Sequence, residues 1–523
     1  MYVFHSTSHN NDHSGKKGAI TVDKKGNSST IYVQPAKTLD EKLTYIQQII
    51  GKSDDLVFRP FSFGQETKIK ASMVYIDGLV DDRALQKMIG GAKNLDLSQG
   101  ETLSTIQLSL EEIGHTEIAL EYETLLEKLL KGSCICLMEG FSTCITVAIP
   151  QFSERQVAEP TTETVVRGPR EGFVENMRVN TSLIRRRLAD ENLWIDSMKL
   201  GKRSKTSISI AYVNGIVDKD LVTELYERLE RIDTDSILED GSVEELIQDS
   251  FYTPFPTVYT TERPDTTVSH LLEGKIAIIV DGSPMVMIVP ALFVHFFHNT
   301  EDYTQRSDIS TLIRILRFGC ILIALLGPSL YIAVTTFHQE LIPTGLLGNL
   351  AAQREGTPFP TFIETLIMEI TFEILREAGI RMPQPVGQAV SIVGAIVIGQ
   401  AAVQAGIVSA AVVIVVSITA ISSFVFPSYN IGIPIRILRF GFMGLSASFG
   451  LVGICIGFTA MLLHLSSLKS FGVPYMEGFT PFVRKNQQDM IFRAPKWMMK
   501  ERPKPGDQND LIRDQSKRPS PDN

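Results

Sequence analysis

Four stretches of the 523-residue chain contain no Asp, Glu, Lys or Arg: Phe318–Phe337, Val386–Val403, Gly406–Phe426 and Phe440–Leu463. A helix needs about 20 apolar residues to cross a bilayer core. A backbone in hydrocarbon must satisfy its own hydrogen bonds, so each stretch predicts a spanning helix. The alternative is a set of buried helices in a soluble enzyme core, and four in succession weigh against it. Between the first two stretches, Pro358–Gly379 predicts a helix in which Glu364, Glu369, Glu373 and Glu377 interrupt apolar residues. At about 100° per residue the last three fall within about 80° of one another. Carboxylates at membrane depth are costly and face water or a partner. Glu369 and Glu373 are therefore expected either to ring the mouth of an oligomeric cation pore or to lie at the interface. In the second case the stripe pairs with Arg376 and Arg381 or faces bulk water.

Ahead of this region the pattern changes to short alternating runs. Tyr75-Ile-Asp77-Gly78-Leu-Val-Asp81 matches Tyr212-Val-Asn214-Gly215-Ile-Val-Asp218, 137 residues later. Gly132–Gly140 matches Gly274–Gly282 at an offset of 142. Two matched blocks in the same order predict a duplicated subdomain. Each copy reads as strand, Asx-Gly turn and helix, closing on two apolar strands around a second turn. In the second copy these are Ile208–Val213, a helix over Asp220–Arg231, Ile276–Val280 and Met285–Val289. The run Met285–Phe297 is short for a span, although an interfacial position for it would make five crossings.

The fold class that follows is an α/β soluble region of two duplicated subdomains plus an α-helical polytopic membrane bundle. The expected boundaries are a polar, disordered tail at 1–39, subdomains at 40–150 and 191–297, and a linker at 151–190. A transmembrane bundle at 298–466 and a basic cytoplasmic tail at 467–523 complete the chain. In the linker, Gly168-Pro169 breaks structure before a basic helix ending in Arg185-Arg186-Arg187. Such a helix can lie on an anionic membrane or an acidic partner, or simply present a solvated charged face.

Within the apolar stretches, small residues recur at helix-contact spacing as Ala395/Gly399, Gly406/Ala410 and Gly453/Gly457. Lipid gives no hydrophobic drive for helix pairing, so close backbone approach matters more. Basic flanks set orientation: Arg306, Arg314 and Arg317 precede the first stretch, and Lys469, Arg484, Lys485, Arg493 and Lys496 follow the last. Both ends then face the cytoplasm, and Arg436 and Arg439 sit on the wrong side of a four-crossing scheme. The first residues have no apolar core for a secretory signal.

Composition adds mainly exclusions. The net charge of −9 offers no global field to nucleic acid. The five cysteines, Cys134, Cys136, Cys144, Cys320 and Cys455, are odd in number and lack zinc spacing, so they are expected to be reduced, buried thiols. Gly51-Lys52-Ser53 fails as a phosphate loop because position 46 is Ile46. Nucleophile-elbow and zinc-protease motifs are absent. His5, His9 and His13 could chelate only if the tail were helical. His295 and His298 suit an interfacial position better than a catalytic one. No catalytic residue, cofactor or metal site is expected.

Several long strings occur together that no generic rule requires. They are VRGPREGFVENMRVNTSLIRRRL at Val166–Leu188, TERPD at Thr261–Asp265, EGKIAIIVDGSP at Glu273–Pro284, PFPTFIE at Pro358–Glu364, and the run from Pro385 to Ala420. On these the chain resembles the A subunit of spore germinant receptors, the GerA family of endospore-forming bacteria, over about residues 40–490. A sister group of the stage V sporulation protein AF type carries an RGARDGF variant of the linker, and RGPREGF at Arg167–Phe173 is closer to the receptor subunit. The resemblance implies a multi-pass subunit of the spore inner membrane. It would work with a transporter-like B subunit, expected to bind the nutrient, and a lipoprotein C subunit. It also implies a homo-oligomer that forms a nutrient-gated cation channel. On that reading Glu369, Glu373, Gln388, Gly394, Gly399 and Gln400 are pore candidates. Arg167, Glu171, Arg185, Arg186 and Arg187 are coupling candidates. A non-conducting scaffold or an AF-like accessory protein is the alternative, and a secondary transporter would be expected to carry more spans.

Overall fold

The computed structural model describes residues 35–51, 53–64, 68–95, 102–151, 159–160, 162–382, 398–482, 486–502 and 513. The histidine tail with His5, His9 and His13, and the pore candidates Gln388 and Gly394, lie outside the described residues. The chain falls into two compact units, 1–152 with 189–191, and 153–188 with 192–523.

In the first unit the order is α1 (Leu39–Ile50), β1 (Leu56–Phe63), β2 (Ile69–Ile76), α2 (Asp82–Lys93), α3 (Thr102–Glu111), β3 (His115–Ala119), α4 (Tyr122–Leu130), β4 (Ser133–Met138) and β5 (Cys144–Ala148). The strands form one antiparallel sheet ordered β1-β2-β4-β5-β3. Along β2, Ala71, Met73 and Tyr75 pack under α2 and α3, whereas Val74 and Ile76 pack under α1 and α4. Both faces are covered, which is why the central strands read as continuous apolar runs. Cys134, Cys136 and Cys144 are buried in this sheet, and burial pushes Cys134 up to about 12 and Cys144 to about 11. Such thiols are inert. The expectation of burial fails for Cys320, which is half-buried, and Cys455, which is exposed on a bundle helix.

The second unit repeats that order as α5 (Met177–Arg187), β6 (Leu193–Leu200), β7 (Thr206–Val213), α6 (Lys219–Glu230), α7 (Asp240–Ile247), β8 (Tyr259–Thr261), α8 (Pro264–Leu271), β9 (Ile276–Val280) and β10 (Val286–Val289). Its antiparallel sheet runs β6-β7-β9-β10-β8, position for position the first order. The matched blocks end at equivalent caps: Asp81 accepts a hydrogen bond from the Arg83 amide at the start of α2, and Asp218 from the Asp220 amide at the start of α6. The basic linker helix is α5, and it takes in the second copy the place of α1 in the first. Its Leu183 and Ile184 pack on β6, β7 and β9, so it is a sheet-covering helix, neither free for a membrane nor simply solvated. The run after Met285 is β10 followed by a buried 3-10 turn, Phe293–Phe297, and gives no fifth span.

Helices α9 (Glu301–Thr304), α10 (Ser307–Thr336), α11 (Thr344–Glu355) and α12 (Thr361–Arg381) follow. Residues 398–404 are helical, and then come α13 (Ala410–Ser423) and α14 (Tyr429–Ser467). The expected single span Phe440–Leu463 is corrected. At Gly450 the backbone leaves helical geometry (φ 60°, ψ −139°), so α14 is two arms. A Cβ on Gly453 would lie 2.3 Å from the Leu445 carbonyl oxygen, and one on Gly457 2.7 Å from the Leu445 side chain. Residues eight and twelve apart cannot meet along one straight helix. The arms fold back on each other, and Gly453 and Gly457 let them close.

The bundle stands on the second sheet. Tyr259, Phe296 and Phe297 join Ile321, Ala324, Leu325, Ile431, Ile435 and Leu465 in one core. Both ends of α14 reach this base: Asn430 Nδ2 donates to Thr260 Oγ1 (2.9 Å), and His464 Nε2 lies 2.9 Å from Thr253 Oγ1. The turn at Gly450 lies beside Phe337 and His338, at the far end of α10.

Candidate functional site

Helix α12 keeps its acids by placing them against α14. Glu369 Oε2 lies 2.5 Å from Arg439 Nη1, and Glu373 Oε2 lies 3.1 Å from Arg436 Nη1. The first pair is sealed, with side chains 0 % and 1 % exposed. Since 369 pairs with 439 and 373 with 436, α12 runs antiparallel to the first arm of α14 and its C-terminal end points toward the base. Glu377 pairs one turn on with Arg381 at 2.6 Å. The arginines that fitted no place in a four-crossing scheme are thus the partners of the acids, and the expected pairing with Arg376 holds for neither. Arg376 lies over the Phe424 ring.

The belt is incompletely satisfied. Glu369 Oε1, Glu373 Oε1, Arg376 Nη1 and Arg439 Nε and Nη2 are buried with no hydrogen-bond partner among the described residues. Buried polar groups normally find one. The fourth acid, Glu364, is completely buried, and its carboxylate accepts from the Ser409 amide (3.1 Å) and the Thr357 hydroxyl (2.9 Å). Ser409 opens α13, which at 14 residues covers about 21 Å, shorter than the apolar run predicted. Gly406, at φ 66°, turns the chain ahead of it. A buried amide at the start of a helix needs an acceptor, and Glu364 supplies one at the N-terminus, where negative charge is favoured.

Of the remaining pore candidates, Gly399 is buried beside Val413 of α13, while Gln400 is exposed on the surface of the chain. Among the coupling candidates, Glu171 and Arg187 pair at 2.7 Å and Arg185 is buried in α5 at 1 % exposure. Arg186 is exposed. Arg167 is tied through its backbone: its amide donates to Glu301 Oε1 (3.2 Å), and its carbonyl accepts from the Thr304 hydroxyl (3.0 Å). The linker therefore docks on α9, directly before α10.

Two clusters at the base escaped sequence reasoning. Asp302 accepts from Arg314 Nε (2.9 Å) and Arg317 Nη1 (3.1 Å), and Arg314 also pairs with Asp489 (2.9 Å). These two arginines are buried clamps as well as basic flanks. Nearby, Lys275 Nζ stands 2.7 Å from His270 Nδ1, 2.9 Å from His295 Nε2 and 3.4 Å from Glu273 Oε2. Burial pushes Lys275 down to about 8 and holds both imidazoles below their usual range. By residue type His270, Glu273 and His295 would suit a metal, but the Lys275 amine already stands among them.

A duplicated sheet-and-helix region continued into an apolar bundle with internal ion pairs marks a modular protein with a soluble and a helical part. A sequence model described as the Bacillus/Clostridium GerA spore germination protein matches residues 44–505, and the chain belongs to this family. It is 44 % identical to spore germination protein KA of Bacillus subtilis (strain 168), over 92 % of this chain and 90 % of that one. Spore germination protein B1 of the same organism is 38 % identical over 91 % and 98 % of the two chains. Spore germination protein GerLA of Bacillus cereus is 40 % identical over 89 % and 95 %. The solved N-terminal domain of the A subunit of the Bacillus megaterium spore germinant receptor GerK3 is 35 % identical, covering 50 % of this chain and 99 % of that one, with a TM-score of 0.42.

Proposed function

We propose that the chain is the A subunit of a spore germinant receptor and forms, with further copies of itself, a nutrient-gated cation path across the spore inner membrane. Its partners on this reading are a transporter-like B subunit that takes the nutrient and a lipoprotein C subunit. The membrane placement rests on the apolar lengths of α10, 30 residues, and of α14, 39 residues folded into two arms at Gly450. Only 33 % and 22 % of their most apolar stretches are buried, unlike core helices of a soluble protein. Leu312, Leu316, Ile323, Phe449, Val452 and Ile456 are left bare for lipid or a second copy.

The observation that carries the conduction reading is the charged belt. Five ionisable side chains, Glu369, Glu373, Arg376, Arg436 and Arg439, stand inside an apolar bundle, with several of their atoms lacking a partner among the described residues. Charges held at such depth mark ion or substrate pathways. Glu369 and Glu373 would give the open path its cation preference, with Gln388, Gly394, Gly399 and Gln400 along the neighbouring stretch. Arg167 and the α5 segment with Glu171, Arg185, Arg186 and Arg187 would carry the change from the soluble copies to α9 and α10.

The helix directions favour six crossings over four. From the far end, α12 returns to the base, whereas a Cβ on Gly406 would lie 3.2 Å from the Gly356 carbonyl oxygen ahead of α12, so α13 starts again from the far end. Counting that return to the far end with α10, α12, α13 and the two arms of α14 gives six, an even count that leaves the second sheet and the segment after α14 on one side.

The receptor, reconstituted with its B and C subunits in potassium-loaded liposomes, is expected to release potassium when nutrient is added. The double variant Glu369→Gln/Glu373→Gln should assemble and open but lose preference for potassium over chloride. A correctly assembled wild-type receptor that passes no current would leave the scaffold reading in place of the channel.

A further inference from the structure

We infer that the two ion pairs between α12 and α14, Glu369 with Arg439 and Glu373 with Arg436, form the latch of the closed state, and that nutrient opens the path by parting them. This rests on the conducting role proposed above and adds its regulation. Three observations carry it.

The pairs join α12 to the first arm of α14 at matched levels, 369 with 439 and 373 with 436. Sliding or tilting α12 against the first arm of α14 would therefore break both together. The pairing also neutralises the acids that would attract a cation. With Arg376 the belt holds three cationic side chains against Glu369 and Glu373, so in this arrangement it opposes cation entry. An acid can recruit cations only after its arginine has moved away.

The unpaired atoms make the latch reversible. A buried ion pair is held by Coulomb attraction against a desolvation cost of similar size. Among the described residues, Arg439 leaves Nε and Nη2 without partners, and each glutamate leaves Oε1. Water entering between parted helices would satisfy all of these, lowering the cost of opening. At the Asp302 clamp the carboxylate itself is fully engaged: Oδ2 accepts from both Arg314 and Arg317, and Oδ1 takes a further contact from Arg317 at 3.3 Å, although Arg314 Nη2 also lacks a partner among the described residues. That clamp suits a fixed anchor, and the belt suits a two-state element. Nutrient binding would shift the balance through its different affinity for the two states.

The test uses spores carrying the complete receptor with Glu369→Gln, Glu373→Gln, or the charge exchange Glu373→Arg/Arg436→Glu. Receptor amount in the inner membrane is measured alongside. Each single variant is expected to raise nutrient-independent potassium release and germination by roughly tenfold or more, and the exchange to return both to within about twofold of wild type. A merely structural role predicts the opposite sign, less receptor and a weaker response. Should the sealed Glu369 variant fail to accumulate, the partly exposed Glu373 pair decides. Gln variants present at normal amount that remain fully nutrient-dependent would overturn the latch even where the wild type conducts. Conversely, nutrient-independent germination of Glu373→Gln spores, with no current from the wild-type receptor in liposomes, would keep the latch and remove the pore.

Discussion

Glu163 sits in the linker with Oε2 accepting a 2.5 Å hydrogen bond from the Thr261 hydroxyl, while Arg263 donates to its backbone carbonyl. Burial pushes its carboxyl up to about 7, against 4.5 for a free glutamate. The folded chain therefore holds this proton where the unfolded chain has lost it. The stabilisation is complete below the free value and disappears as pH rises through about 7. Glu163→Gln is expected to remove that slope: across the same window the thermal midpoint in detergent should fall less for the variant than for the wild type. Parallel profiles would show that Glu163 does not titrate there. Neither its neighbours nor its burial can be read from the string Thr162-Glu163-Thr164, since Thr261 lies 98 residues away.

At the scale of elements, α10 is anchored by Asp302, one turn before it begins. Arg314 and Arg317 approach this carboxylate because they lie three residues apart on one helix face. Removing one partner of a buried pair leaves an uncompensated charge, so Asp302→Ala is expected to cost about 3–5 kcal/mol, measured by denaturant unfolding in detergent. Arg306→Ala, which loses only an exposed pair with Asp308, should leave the unfolding curve unchanged. Equal curves for the two variants would refute the clamp. Among the elements, β7, β9 and β10 of the second copy were legible to within two residues, because alternation and Asx-Gly turns act locally, while β6 and the three-residue β8 were not read. Helix α12 was legible too, as Thr361–Arg381 against the expected Pro358–Gly379. The break at Gly450 was not: a glycine in a Gly-rich apolar run carries no local mark of positive φ, and Phe337 and His338, which leave a Cβ there no room, lie just past α10 and far away in sequence.

For the molecule as a whole, six crossings place Glu340 and Arg381 on opposite faces of the membrane, whereas four crossings place both outside. Both positions are exposed. In a chain whose five cysteines are replaced, Glu340→Cys should react with an impermeant maleimide from outside, and Arg381→Cys only after permeabilisation. Labelling of both from one side would remove the six-crossing topology. Duplication, the apolar stretches and family membership were all carried by local pattern or long shared strings. A repeated strand order follows from a repeated period of apolar and turn residues, because side-chain direction along a strand depends only on position. The partners of Glu369 and Glu373 did not follow: Arg439 and Arg436 lie 70 and 63 residues away. Charge spacing on both helices hinted at complementarity, since the acids are four apart and the arginines three. Only packing decided which helix faces which, because a carboxylate in an apolar setting takes whatever cation the fold brings within reach.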